Sequence, residues 1–394
     1  MNVALGYLSI NEQGKKYVND CLDSNRLSRG KYTTKLEQDF SKLHGCAYGL
    51  FCNSGTSALQ IALAAMKEHY GWSDGDEVIV PAITFVATAN VVIQNNLKPV
   101  FVDVEPLTYN MNPDRIATAV TDKTVAIIPV HMLGLPANMP RIMSIAHYYG
   151  LKVLEDSCET MFAGINGQLV GSFGDMACFS TYVAHLIVGG VGGLVTTNNE
   201  RLDNLCKCLM NHGRDTNYLT IDDDDNVGEE RLKTIIKSRY KFDRVGYSYR
   251  CTELEAALAL SELECWEKNI SRRRYNADLL GEHLKRHADK LQLPHVPFGF
   301  EHSYMMYPLV VEKGVDREAL LLFLEKRGIE TRYLFPMLNQ PVYTKLYNGR
   351  PADCPIARNI EDNGILLGIH QGLNSEAIEY VAHSFDDYFK GTKS

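Results

Sequence analysis

From about residue 48 to residue 200, short apolar runs alternate with longer stretches in which apolar residues recur every three or four positions. The short runs are Tyr48–Cys52, Glu77–Val80, Pro99–Val102, Val125–Val130, Lys152–Glu155, Met176–Phe179 and Gly193–Thr197. Several are continuously apolar and rich in Val and Ile, as strands covered on both faces are. Between them, Ser57–Lys67, Ala87–Gln94 and Met139–Tyr149 follow the helical period. This alternation predicts an α/β fold with a mostly parallel sheet, whose functional groups gather at the carboxyl ends of the strands. Glu200–Asn211 reads as a further helix. Thr220–Glu230 is polar and holds four consecutive aspartates, Asp222–Asp225, the pattern of a solvated loop. A long helical stretch, Glu253–His287, ends before Leu293–Pro297. A strand at Met305–Val311, a helix at Asp316–Arg327 and a terminal helix near Ser375–Phe389 outline a smaller α/β lobe. The expected division is a large domain over 1–255 and a small one over 256–394.

The 394 residues are 45% hydrophobic and 22% charged, enough for a large core and too apolar for wholesale disorder. No apolar run approaches the roughly 20 residues of a membrane helix, and Met1–Leu8 lacks a charged leader, so a soluble cytoplasmic protein without a membrane partner is expected. The formal charge of -8 gives no basic footprint, and nucleic acid is not an expected partner. Ten cysteines lack the spacing of a disulfide scaffold. The close pair Cys206/Cys208 has no second pair beside it to complete a metal site, so no metal is expected.

Three segments at strand ends could carry chemistry. Asn53–Leu59, small and polar before a helix, suits a phosphate at a helix N-terminus, and equally suits ordinary capping. Val153–Glu159 puts acidic residues at the end of a buried strand, where a carboxylate needs a cation or hydrogen-bond donors. A protonated ring nitrogen of a cofactor is one such cation; backbone amides are the plainer alternative. Cys178–Leu186 places Ser180 after a strand and His185 ahead of the glycine-rich Gly189–Gly193. A lone histidine in apolar surroundings is commonly a satisfied core residue. The other two segments favour a functional one.

The ordered set Asn53–Leu59, Pro81–Phe85, Glu155–Glu159, Phe179–His185, Gly192-Gly193 and Gly246–Arg250 resembles the DegT-type nucleotide-sugar aminotransferases. These are pyridoxal-phosphate enzymes of the aspartate-aminotransferase fold (fold type I). The resemblance implies a homodimer with its site at the subunit interface. It implies pyridoxal 5'-phosphate or pyridoxamine 5'-phosphate as cofactor, held by Gly55, Thr56 and Ser180 at the phosphate with Ser54 alongside. Phe85 would stack on the ring, Asp156 would hold the ring nitrogen protonated, and Glu159 would lie near the ring hydroxyl. Ser248 would reach the phosphate of the other subunit, where the family often has Asn.

At His185 the family has the lysine that forms the Schiff base. The chain is similar here to the histidine-for-lysine subgroup typified by the GDP-4-keto-6-deoxymannose 3-dehydratases, and Asn363–Gln371, including His370, resembles that subgroup too. An imidazole remains a base near neutral pH. The resemblance thus implies a nucleotide-sugar 3-dehydratase acting on a 4-keto-6-deoxy sugar, with His185 as base and L-glutamate regenerating the amine form. Two alternatives stand beside it: an aminotransferase working without the lysine, and a catalytically silent sugar-nucleotide binder. Arg250 and His212–Arg214 resemble interface segments. Val191 stands where the family usually has Glu.

Overall fold

The computed structural model describes residues 1–214, 227–335 and 337–391; the aspartate run at 222–225 lies outside them. Two helices open the chain, α1 (Glu12–Asp23) and α2 (Lys31–Leu43). Then follow β1 (Tyr48–Cys52), α3 (Gly55–Tyr70), β2 (Glu77–Pro81), α4 (Ala87–Gln94), β3 (Lys98–Val102), α5 (Pro113–Ala119), β4 (Thr124–Ile127), α6 (Met139–Tyr149) and β5 (Lys152–Asp156). A small hairpin, β6 (Gly164–Ile165) and β7 (Gln168–Leu169), leads to β8 (Met176–Ser180), β9 (Gly193–Thr197), α7 (Glu200–Met210) and α8 (Glu229–Ser238). The helices α9 (Glu253–Leu263) and α10 (Trp266–Leu284) precede β10 (Leu291–Gln292), β11 (Tyr307–Val311), α11 (Arg317–Lys326) and β12 (Thr331–Tyr333). The chain closes with α12 (Pro341–Leu346), α13 (Pro355–Asn363), β13 (Gly364–Leu367) and α14 (Ser375–Gly391).

Among the described residues the large sheet has seven strands in the order β1-β9-β8-β5-β4-β2-β3. Its run from β3 to β8 is parallel, and β9 lies antiparallel between β8 and β1. Both faces are covered, which is why β2, β8 and β9 are buried along their whole length. One core, with α3 at its centre, packs on one face; a second, with α6 and Ile116 of α5, packs on the other. A four-stranded antiparallel sheet, β10-β11-β13-β12, packs on α10, α11 and α14 through Leu280, Leu324 and Phe385. No helix among the described residues is long and apolar enough to cross a membrane.

The strands expected from periodicity form close to their predicted places. The continuous strand within Val125–Val130 ends at Ile127; beyond it Ile128 still donates to Ile79 and Val130 bridges Asp156, while Pro129, without an N–H, only accepts. The pattern gave no elements before residue 48, yet α1 and α2 form. Their apolar faces pack on α9, some 220 residues later, where Glu253 accepts the amides of Gly30, Tyr32 and Thr33.

The carboxyl edge of the sheet is braced by Glu155, which is fully buried. Its carboxylate accepts the amides of Gly171, Phe173 and Gly174 at 2.7–2.8 Å and the ring Nε2–H of His131 at 3.0 Å. The His131 tautomer follows, because its Nδ1 accepts the Ala137 amide. Donors rather than a cation therefore stabilise Glu155. Glu155→Gln would turn an N–H₂ group toward amides that need an acceptor, and should lower the unfolding free energy by about 3 kcal/mol. Urea denaturation checks this; a change below about 1 kcal/mol would show that the carboxylate is not what orders the 171–174 turn.

Candidate functional site

Strand register builds the site. Gly193 pairs with Cys52 on one side and with Ser180 on the other, so the residues following β1 and β8 emerge next to each other. α3 starts there, with Ser54 as N-cap, and its first-turn amides face the same edge. The approach is too close for side chains. A Cβ on Gly193 would sit 2.3 Å from the Ser54 carbonyl, and one on Gly55 would sit 2.8 Å from Cys158 Sγ and Ser180 Cβ. These glycines are required by contact.

At this edge lies a cavity of about 400 Å³. Ser54, Gly55, Thr56, Phe85, Asp156, Glu159, Ser180 and His185, all singled out from sequence, line it together. Ser54 is committed to the helix: its hydroxyl accepts the Ser57 amide and donates to the Ser57 hydroxyl. Thr56 is exposed to the cavity, and Ser180 Oγ accepts the Tyr182 amide in a long 3.4 Å contact. Phe85, at the start of α4, is 56% exposed, an unusual state for a phenyl ring and one that leaves its face open to a flat ligand.

Asp156 ends β5. It accepts Thr88 Oγ1 at 2.8 Å and the Cys158 amide at 3.2 Å, and Thr84 bonds Thr88 behind it. Burial still raises its pKa above the usual carboxylate range, because those bonds do not replace the lost water. Glu159 has less support. It accepts the Leu133 amide at 3.0 Å, and burial, with Asp156 adding repulsion, pushes it up to about 8. The Leu133 amide is aimed by a left-handed turn residue with φ 55°. His185 is half-buried, with Nδ1 enclosed and lacking a hydrogen-bond partner. Burial pulls its pKa down to about 4, so the ring is neutral at neutral pH.

A desolvated carboxylate, an open phenyl face and a helix start crowded by glycines fit a flat cationic ring that carries an anionic group. The cavity also has contributors that sequence reasoning missed. Met305, Met306 and Phe335 come from around the second sheet, and Tyr182 from the His185 turn. Thr88 falls one helical turn after Thr84, the only local sign of its link to Asp156. No lysine lines the cavity among the described residues, and none of their His, Cys, Asp and Glu side chains cluster to hold a metal ion.

Two expected residues lie elsewhere. Ser248 lines a separate cavity with Arg29, Lys207, Arg214 and Arg250, and its hydroxyl accepts from Arg250 at 3.3 Å. His370 stacks on Tyr7 and donates from Nε2 to the Ala4 carbonyl, apart from the cavity lining.

Glu159 gives a pH test with a defined sign. The folded carboxyl keeps its proton to about pH 8, whereas its ordinary value is 4.5. Its contribution to stability is therefore lost as pH rises between those values. Glu159→Gln, uncharged throughout, should gain on the parent across pH 5 to 8, by about 2–4 kcal/mol at the upper end. Urea unfolding of both proteins measures this, and a pH-independent difference would mean an ordinary carboxyl.

Comparison with known proteins agrees with this geometry. The DegT/DnrJ/EryC1/StrS aminotransferase family matches residues 8–386. The GDP-perosamine synthase of Caulobacter vibrioides is 33% identical over 390 residues, covering 98% of this chain and 97% of the relative. The dTDP-4-dehydro-2,6-dideoxy-D-glucose 3-dehydratase of Saccharopolyspora spinosa is 34% identical over 379 residues, 92% of this chain and 81% of the relative. The structure of the E. coli GDP-4-keto-6-deoxy-D-mannose-3-dehydratase with bound hydrated PLP superposes with a TM-score of 0.88 at 28% identity, covering 98% of this chain and 99% of that one. An α/β chain with a mostly parallel sheet, matched by this family over nearly its whole length, is a member of the DegT/DnrJ/EryC1/StrS aminotransferase family.

Proposed function

We propose that this enzyme is a pyridoxal/pyridoxamine-phosphate-dependent 3-dehydratase of a 4-keto-6-deoxy sugar nucleotide, with His185 as its base. The observation that carries this reading is that the cavity offers His185, and no lysine among its described lining, as the nitrogen base beside Asp156. A 3-dehydratase with bound PLP is a structural relative, and a second 3-dehydratase is a sequence relative. When bound, the cofactor supplies an electron sink adjacent to the carbon that gives up a proton.

The protein's own groups then have separable tasks. Gly55, Thr56 and Ser180 would hold the phosphate, the helix start favouring its charge. Phe85 would cover one face of the ring and keep water from it. Asp156 would keep the ring nitrogen protonated, a pairing that also relieves its own desolvation. Glu159, holding its proton at neutral pH, would donate to the ring hydroxyl. His185 has Nδ1 enclosed, so Nε2 would be the atom that accepts a proton beside the bound cofactor and returns it to the substrate's departing oxygen, which would leave as water. With no lysine among the described lining, the cavity has no primary amine of its own to exchange for the product's nitrogen, which disfavours amine transfer.

The working unit in this reading is a homodimer using L-glutamate to restore the amine form. Ser248 and Arg250, remote from the cavity of their own chain, would complete the partner's site. The second reading is amine transfer itself, favoured by the relation to the GDP-perosamine synthase.

Two measurements test the proposal. Pyridoxal phosphate followed by borohydride should leave the intact mass unchanged although the unreduced protein retains cofactor, and His185→Lys should acquire one covalent cofactor. A stoichiometric adduct on the parent would identify another lysine and favour aminotransfer. With a 4-keto-6-deoxy sugar nucleotide and glutamate, the parent should release ammonia and a 3-deoxy product; amine retained in the sugar would replace this reading with the second. His185→Asn should bind cofactor normally and turn over at least about 100-fold more slowly, and undiminished turnover would remove the base role.

A further inference from the structure

The His185 turn has no ladder of its own. Its amide donates to the Tyr182 carbonyl at 2.9 Å, and Gly189 returns to Thr181 at 2.9 Å. Beneath it lies Arg273 of α10, 2% exposed, among the largest fully enclosed side chains of the chain. A guanidinium in that position costs several kcal/mol unless it is paired. No carboxylate lies within ion-pair distance of it among the described residues, and Glu262 of α9 acts on it only at longer range. Its hydrogen bonds go instead to main-chain carbonyls: Nη1 to Tyr304 and Met305 at 3.0 Å each, and Nη2 to His185 at 3.5 Å. The same guanidinium thus touches the turn that carries His185 and the segment that carries Met305 and Met306 into the cavity.

We propose that Arg273 is a positioning residue for His185, tying its turn to the Tyr304–Met305 backbone and placing a fixed positive charge behind the imidazole. This rests on the reading of His185 as the base. A leucine or methionine would fill the same space without the desolvation cost, and would leave three carbonyls without donors. The charge has a second effect. Burial is the main cause of the low His185 pKa, the Tyr182 carbonyl opposes it, and the Arg273 charge lowers it further. The other titratable groups around the ring are Tyr182 on its own turn and Asp156 and Glu159, which share its cavity. His370, stacked on Tyr7, also feels the Arg273 charge. Burial and the Arg273 charge together keep the imidazole unprotonated and ready to accept.

The test uses the full-length protein labelled with ¹³C-histidine, with His185→Asn assigning the His185 resonance. In Arg273→Met the His185 titration midpoint should rise by about one unit from its value near 4. In the cofactor-loaded enzyme the acid limb of the pH–rate profile should move with it, and kcat should fall about tenfold or more with KM changed less than about twofold. Arg273→Lys keeps the charge and should restore the titration and most of kcat. A folded Arg273→Met protein whose His185 titrates like the parent would overturn the proposal. If that variant does not fold, Arg273→Gln is read by the same titration and the same criterion. The titration needs no turnover, so it still reports on Arg273 if His185→Asn shows that the base is another group.

Discussion

Asp156 is a carboxylate held where water cannot solvate it, at the end of a strand in the middle of the large sheet. Thr88 and the Cys158 amide support one side of it, and no cation of the described chain neutralises it. Much of the surrounding structure serves to keep that charge facing the cavity. The parallel ladder from β4 through β5 to β8 fixes its height. Thr88 of α4, itself bonded to Thr84 just ahead of that helix, holds one carboxylate oxygen, and the amides of the 171–174 turn go to Glu155 instead. Adjacent residues of one strand thus have opposite fates. Glu155 points into the protein and is satisfied by four donors; Asp156 points to the cavity and is not.

The cavity also depends on near contacts that admit no side chain. Gly193 lets the start of α3 meet β9, and Gly55 lets it meet Cys158 and Ser180. The helix start therefore presents its backbone, rather than side chains, to the cavity. A ligand anchored there and at Asp156 would be held at two points, with Phe85 between them across the opening.

A cavity that offers an imidazole and no lysine among its described lining has distinct chemical options. A lysine can form an imine with a carbonyl carbon and exchange it; an imidazole forms no stable imine and remains a proton acceptor. The His185 environment accentuates this, since burial disfavours the imidazolium and Arg273 behind the ring adds to the effect. The relatives include both a perosamine synthase and 3-dehydratases, so the scaffold accommodates both outcomes.

Local pattern was sufficient for the strands and helices of the large sheet and for their parallel arrangement, because strands buried on both faces must be continuously apolar and crossover helices must be amphipathic or buried. It pointed, too, to three strand-end segments that reach the cavity, since topology sends those ends to one edge, while Phe85 and the choice of individual residues came from the family resemblance. It was not sufficient for α1 and α2, whose partner α9 lies far along the chain, or for the contributions of Met305, Met306 and Phe335. Nor did it distinguish Ser54, whose hydroxyl closes a helix cap, from the neighbouring Thr56, which is left free. The sequence by itself determined which residue types stand at the carboxyl edge, including histidine at position 185. Only the tertiary structure decided which of them are desolvated and which are already satisfied, and it brought Arg273 of α10 to the main chain of the His185 turn. The physical reason is that burial and hydrogen-bond partners come from segments distant in sequence, and these set the charge state of each group.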